Sequence, residues 1–138
     1  MDRPVASPHE IRNPESLPRP SGFSHAIIAQ GDRTIYLAGQ TAQRADGSLI
    51  AGSMAEQFDA AAGNVVGALH AAGARPEELV SMQIFVTSIA EYQRLSKEIG
   101  VAYRRHFGRH YPAMALVEVS RLFDPAATVE LMCIAVTV

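Results

Sequence analysis

Few side chains in this 138-residue sequence combine a reactive group with the spacing of a known kind of site. The single cysteine, Cys133, has no second thiol with which to form a disulfide or to complete a zinc or redox motif. It shares one face of a predicted strand with Val129, Leu131 and Ala135, which indicates a buried and unreactive thiol. The chain also has no glycine-rich phosphate-binding motif, no HExxH zinc motif and no GxSxG nucleophile motif. We therefore expect no metal and no cofactor.

Histidine is the other side chain that can carry a proton near neutral pH. His25 lies beside Phe23 in a strand-like run, where the charge of a helix terminus cannot explain it. It is either a structural histidine or the proton carrier of a catalytic site. His70 and His106 lie near the ends of predicted helices, where a cation complements the helix dipole, and His106 also falls on the apolar stripe of its helix.

The most basic segment runs from Arg104 to His110 and offers contacts for an anion or for RNA. It also ends a predicted helix, where each cation gains about 0.3–1 kcal/mol from the helix dipole. The net charge of −2 does not call for a nucleic-acid partner. We prefer the helix-terminus interpretation and do not expect nucleic acid to bind.

The composition is that of one ordinary globular domain, with 48% hydrophobic and 19% charged residues. Apolar runs such as residues 113–117 are far too short to span a membrane. The first four residues lack the basic-then-apolar pattern of a secretory signal. We expect a cytoplasmic protein that does not bind membranes.

Prolines and turn residues divide the chain. Five of the eight prolines fall in residues 1–22, which predicts an extended leader before a folded domain at 23–138. Two β-type runs, 23–30 and 33–38, are separated by Gly31 and Asp32, and this pattern predicts a hairpin.

Two helices are expected downstream, because the Ser-x-x-Glu pattern of a capping box occurs at 53–56 and at 88–91. Apolar residues at helical spacing follow each box, and the helices should end at Gly73 and Gly108. Strands are predicted at 79–87, 113–120 and 128–138. The order ββαβαββ predicts a single α+β domain, a mixed sheet with both helices on one face.

The other face of this sheet needs cover as well. We expect the last two strands to place one mixed apolar and acidic set on the same side: Met114, Leu116, Glu118, Glu130, Met132 and Ile134. Such a face is too apolar to be exposed to bulk water and too acidic to form an ordinary hydrophobic core. It is typical of a subunit interface.

Several segments of the chain carry a resemblance to a known family. They read IYLAGQ at 35–40, AAGARPEELV at 71–80, FVT at 85–87 and YPAMALVEV at 111–119, and the last strand also matches. Over residues 23–138 the chain resembles the RidA/YjgF family, also called L-PSP or reactive intermediate deaminases. The resemblance implies the chorismate mutase-like fold of a homotrimer, with ligand clefts between neighbouring subunits.

The resemblance also implies a site whose polar groups are missing here. In the imine deaminases of the family, an arginine after Pro-Ala grips the substrate carboxylate, a glutamate in the last strand positions water, and a serine precedes Gly-Gln. The corresponding residues here are Met114, Met132 and Ala38, while Phe23 replaces a tyrosine and Gly100 an asparagine. The positions that the resemblance brings to the cleft are Phe23, Ala38, Gly39, Gly100, Met114, Ala115, Leu116 and Met132.

These replacements have an energetic consequence. An arginine–carboxylate pair makes two charge-assisted hydrogen bonds, so methionine at 114 removes about 2–4 kcal/mol of recognition. Without the glutamate, the nearest base for water is gone. Because every polar group became apolar, the pattern favours a less charged ligand.

Three functions remain open. The first is a divergent enzyme that acts on an imine, enamine or related reactive and relatively apolar molecule, using the backbone amides of Ala115 and Leu116 and a proton from His25. The second is a non-catalytic homotrimer that binds a small molecule as a sensor or carrier. The third is RNA cleavage, against which the acidic net charge counts.

Overall fold

The computed structural model describes residues 6–138, which form two sheets, three α-helices and one short 3₁₀ helix. The strands are β1 (Glu10–Arg12), β2 (Ala26–Ile28), β3 (Arg33–Tyr36), β4 (Leu79–Val86), β5 (Ala113–Glu118) and β6 (Val129–Thr137). The helices are α1 (Met54–Ala71), α2 (Ile89–Arg94) and α3 (Ser96–Phe107), and the 3₁₀ helix spans Pro76–Glu78.

The main sheet has the order β3-β6-β4-β5. It is mixed, because β4 and β5 are parallel while β6 is antiparallel to both β3 and β4. One hydrophobic core joins this sheet to the helices, and it includes the buried Phe58 of α1, Phe107 of α3, Met82 of β4 and Leu131 of β6. The predicted α+β domain with helices on one face of a mixed sheet is confirmed.

The ends of α1 are those that the sequence predicts. The Ser53 hydroxyl accepts a hydrogen bond from the Glu56 amide at 3.2 Å, and the Glu56 carboxylate accepts one from the Ser53 amide at 3.3 Å. At the other end Gly73 has a φ of +82°, and the Ala74 amide donates back to the Leu69 carbonyl at 2.8 Å. This bond is the mark of a Schellman-type helix end, for which glycine is preferred.

The second predicted helix is divided into α2 and α3 at Leu95, which has a φ of −100° and a ψ of 15°. The Leu95 side chain is buried, and its amide still donates to the Glu91 carbonyl at 3.0 Å. Since the hydrogen bonding and the apolar spacing both continue through the bend, the sequence pattern gives no sign of it.

The predicted hairpin between 23–30 and 33–38 is wrong. Strand β2 pairs with β1, and β3 pairs with β6. Gly31 has a φ of +141°, and a Cβ there would lie 2.5 Å from the Thr137 carbonyl oxygen, so the chain passes the end of β6 instead of folding back on β2. Turn residues reveal that the chain changes direction, but they do not identify the partner of each strand.

The predicted leader includes β1, which a buried histidine attaches to the rest of the fold. His9 Nδ1 accepts a hydrogen bond from the Gln30 amide at 3.0 Å, so Nε2 carries the proton that is donated to the Glu78 carbonyl at 2.8 Å. The buried Glu78 carboxylate in turn accepts hydrogen bonds from Thr137 Oγ1 and from the Arg75 amide. These contacts join β1, the start of β4 and the end of β6.

The predicted grouping of side chains on the last two strands is also wrong. Strand β4 lies between β5 and β6, and Met82 pairs with Met114 on one side and with Cys133 on the other. Paired residues point to the same face, so Met114 faces the helices with the buried Cys133. Met132 pairs with Gln83 on the opposite face. Alternation separates the two faces of each strand but does not say which face is turned to the helices.

The buried His110 makes folding stability depend on pH. Burial lowers the pKa of His110 below its ordinary value of 6.5; nearby His9 lowers it further, while the bond to Leu79 and the charge of Glu77 oppose the shift. The unfolded chain therefore takes up this proton at higher pH than the folded chain. The stabilisation is complete above about pH 6.5 and is lost as the pH falls below that value.

We predict that this loss is reduced in His110→Gln, whose neutral amide can still donate to the Leu79 carbonyl that His110 Nε2 contacts at 2.7 Å. One proton contributes at most about 1.4 kcal/mol per pH unit. The measurement is the free energy of urea unfolding between pH 5 and 7.5. His70→Gln, at an exposed histidine, is the control and should keep the wild-type slope. An unchanged slope in His110→Gln would contradict the prediction.

Candidate functional site

The concave site that contains the predicted residue Met114 lies between the edge strand β5, helices α2 and α3, and residues 21–23. It consists of two overlapping cavities of about 390 Å³ each. Both are lined by Ser21, Gly22, Ile84, Tyr92 and Met114. We refer to the two together as the Met114 cavity.

The two ends of the Met114 cavity differ in chemistry. Phe23, Ala115 and Leu116 form the apolar end. The other end adds Ser96, Ile99, Gly100, Tyr103, Arg104 and Tyr111. The cavity therefore offers a hydrophobic wall at one end and hydroxyl and guanidinium groups at the other.

Residues 21–24 are fixed against β5 by hydrogen bonds around Pro112. The buried Ser24 donates its amide to the Pro112 carbonyl at 3.1 Å and its hydroxyl to the Tyr111 carbonyl at 2.5 Å. These bonds place the neighbouring Phe23 beside the start of β5. The apolar end of the cavity is thus built by a tertiary contact between segments almost ninety residues apart.

The tyrosines that line the polar end of the cavity are held by stacking and hydrogen bonding. The Tyr103 ring stacks on Tyr111 with centroids 5.2 Å apart, and its hydroxyl donates to the His110 carbonyl at 2.6 Å. Burial raises the pKa of both Tyr103 and Tyr92 above the ordinary value. Both phenols stay protonated at neutral pH, and since the Tyr103 proton is donated to His110, the Tyr92 hydroxyl is the one that can donate to a ligand.

The structure brings together Phe23, Gly100, Met114, Ala115 and Leu116 of the residues that the sequence predicts for the site. The remaining three, Ala38, Gly39 and Met132, lie outside this cavity. Met132 is half-exposed on the face away from the helices. Met114 and Met132 of the same chain therefore do not line the same cavity.

The carboxylate of Glu130 lies beside Gly39, one of the three predicted residues outside the Met114 cavity. A Cβ at Gly39 would come within 2.8 Å of the Glu130 carboxyl carbon, so the absence of a side chain at 39 lets Glu130 approach. Glu130 shares its face with Met132, two residues along β6. Glu130 was predicted on this strand from the sequence, without a role in the site.

His25 lies just before β2 and behind Phe23. Its Nε2 is 2.7 Å from the Pro18 carbonyl oxygen, and its ring meets Phe23 edge to face with centroids 5.2 Å apart. It is not one of the residues that line the Met114 cavity. These contacts give His25 a role in orienting Phe23, whereas its role as a proton carrier stays a prediction.

The basic segment after residue 103 is partly neutralised within the chain. Asp59 of α1 accepts hydrogen bonds from Arg105 at 2.5 Å and from His106 at 2.8 Å. Cys133 is buried as expected, and burial raises the pKa of its thiol to about 12. Among residues 6–138, no three His, Cys, Asp or Glu side chains are grouped as metal ligands.

Sequence reasoning missed the polar end of the cavity. Arg104 was grouped with the cations of a helix terminus, and Tyr92 and Ser96 were assigned no site. Ser96, Gly100 and Arg104 are spaced four residues apart, which places them on one face of a helix. That spacing was the signal in the sequence from which these residues could have been found.

No helix in the described part of the chain has the length and apolar character required to cross a membrane.

Comparisons with known proteins agree on one family. The sequence profile of the family described as Endoribonuclease L-PSP matches residues 15–137. The chain is 30% identical over 115 residues to the 2-iminobutanoate/2-iminopropanoate deaminase of Bos taurus, covering 83% of this chain and 79% of that protein.

Solved structures show the same fold. The Yersinia pestis protein YyfB, described as a protein of unknown function of the conserved Rid family, has a TM-score of 0.80 at 30% identity. That match covers 93% of this chain and 98% of YyfB. The YjgF gene product of E. coli has a TM-score of 0.64 at 27% identity, over 76% and 81% of the two chains. The chain belongs to the RidA/YjgF family, whose profile carries the description Endoribonuclease L-PSP.

Proposed function

We propose that the Met114 cavity binds a small molecule with an apolar body, and that the protein is a divergent enzyme acting there on an imine, enamine or related reactive compound. The observation that carries this proposal is the hydrophobic wall formed by Phe23, Met114 and Leu116. By the family resemblance, position 114 is where an arginine would grip a substrate carboxylate. An aromatic or branched group buries apolar surface there instead, and methionine adapts to such shapes.

Two kinds of donor support chemistry at this site. Strand β5 is the edge strand of the main sheet, and the amides of successive strand residues point to opposite sides. Because the Val119 amide donates to the Val86 carbonyl of β4, the Leu116 amide points to the free edge beside the cavity and the Ala115 amide points toward β4. The protonated Tyr92 hydroxyl is a further donor. Donors of this kind stabilise negative charge that develops on a reacting group.

A non-catalytic binding protein is the second candidate function. Within the described part of the chain, the residues lining the Met114 cavity include no aspartate, glutamate or histidine, so residues 6–138 of one chain provide no ordinary general base there. Binding without turnover would suit a sensor or carrier. An assay of product release distinguishes the two candidate functions, because only the enzyme would convert its bound molecule.

Assembly as a homotrimer would supply what one chain lacks. The sheet face away from the helices carries Phe85, Val117, Met132 and Ile134 without cover, together with Glu130. A second copy packed on this face would bury it and could bring Glu130 and Met132 to a neighbour's Met114 cavity. The inter-subunit cleft that the family resemblance implies follows the same arrangement.

We predict a particle of about 44 kDa by light scattering at micromolar concentration, three times the 14.8 kDa of the chain. Val117→Glu should dissociate it, because a buried unpaired charge is costly. Val101→Glu is the matched control: Val101 is 47% exposed and Val117 41%, but Val101 lies on α3 and not on the open sheet face. A wild-type mass of 14.8 kDa would contradict the trimer.

Hydrolysis of small aliphatic 2-imino acids should proceed close to the uncatalysed rate. Met114 provides no cation for their carboxylate, and their short chains gain little from the apolar wall. The imine is generated by an amino-acid oxidase, and release of the 2-oxo acid is followed with and without the protein. A clear acceleration would show that the missing arginine and glutamate are replaced from elsewhere for these substrates.

Ligand preference tests the cavity assignment directly. Aromatic or branched apolar ligands should raise the melting temperature of the wild type, whereas pyruvate and 2-oxobutyrate should not. In Met114→Arg the order should reverse, because the guanidinium restores a cation for small carboxylates. Met132→Arg lies on the opposite sheet face, so a change in its ligand preference would indicate that a neighbouring subunit brings residue 132 to the cavity. The assignment fails if small carboxylates stabilise the wild type best and Met114→Arg changes nothing.

A further inference from the structure

The Met114 cavity contains a cation that does not come from the sheet. We infer that the Arg104 guanidinium binds the carboxylate of an aromatic or branched organic acid whose apolar part lies against Met114 and Phe23. This inference rests on the proposed function, since it uses the same cavity and names the charge of its ligand.

The position of Arg104 follows from the geometry of α3. A Cβ at Gly100 would lie 3.3 Å from Arg104 Nη1, so the guanidinium folds back over the preceding helical turn. This is the direction in which long side chains on a helix point. Ser96 lies one turn further back, and all three residues line the polar end of the cavity. Any side chain at position 100 would compete with the guanidinium for this space.

Arg104 is available for a ligand. Within residues 6–138 it forms no ion pair or side-chain hydrogen bond, whereas the adjacent Arg105 is paired with Asp59 at 2.5 Å. The hydroxyls of Ser96 and Tyr92 line the same cavity, and neither donates to another residue of the described chain. A planar guanidinium and two hydroxyls in one cavity offer hydrogen-bond donors to the oxygens of a carboxylate.

The two ends of the cavity explain which acids should bind. The apolar end is formed by Phe23, Ala115 and Leu116, and Arg104 stands at the other end. Met114 and Tyr92 lie between them, since they line both cavities. A ligand must carry both a hydrophobic group and a carboxylate to use both ends. Small carboxylates reach only one end, and neutral aromatic compounds also reach only one.

The test compares an aromatic acid with its neutral, nearly isosteric amide and with a short acid that lacks the ring. Isothermal titration at neutral pH measures the dissociation constants of 3-phenylpropanoate, 3-phenylpropanamide and propanoate for the wild type, Arg104→Ala and Arg109→Ala. Arg109 is the control, because it is an exposed arginine near the same helix end but lies outside the Met114 cavity. Circular dichroism confirms that each variant is folded.

We expect 3-phenylpropanoate to bind the wild type more tightly than the amide. Arg104→Ala should weaken the acid about ten- to a hundredfold and leave the amide unchanged, as expected for a lost charge-assisted hydrogen-bond pair. Arg109→Ala should behave as the wild type. Equal binding of acid and amide, or no effect of Arg104→Ala on the acid, would overturn the inferred role of Arg104 but not the proposed apolar cavity. Failure of both phenyl compounds to bind the wild type would overturn the proposed apolar cavity, and the inference with it.

Discussion

The register of β4 against its two neighbours determines what every residue of the site can do. Because Met82 pairs with both Met114 and Cys133, the side chain at 114 is turned toward the helices, and the one at 132 is turned away from them. The cavity beside Met114 lies where the edge strand β5 meets helices α2 and α3, at the end of the helical layer. A slip of one residue along β5 would move Met114 to the open face and remove the hydrophobic wall.

Local sequence rules predicted the parts of this fold that depend on neighbouring residues. The capping box at Ser53 and the helix end at Gly73 follow from hydrogen bonds within a few residues. The burial of Cys133 follows from the alternation of its own strand. The partners of β2 and β3, and the face of Met114, depend on which distant strand lies alongside, and neither propensity nor periodicity contains that information.

The same limit applies to the site. The residues that match the family motif identified Met114, Ala115 and Leu116, since these are consecutive in one strand. They could not show that Arg104 shares their cavity, because this depends on how α3 packs over the edge of the sheet. A cation near a helix C-terminus is usually explained by the helix dipole, and only its position beside Gly100 and Ser96 sets Arg104 apart.

The most direct measurement is a crystal structure of the protein with 3-phenylpropanoate. The account predicts the phenyl ring against Met114 and Phe23, with the carboxylate within hydrogen-bonding distance of the Arg104 guanidinium. It also predicts that any contact with Met132 or Glu130 comes from a neighbouring copy of the chain. Density for the ligand on the open sheet face of a single chain, or a carboxylate turned away from Arg104, would contradict it.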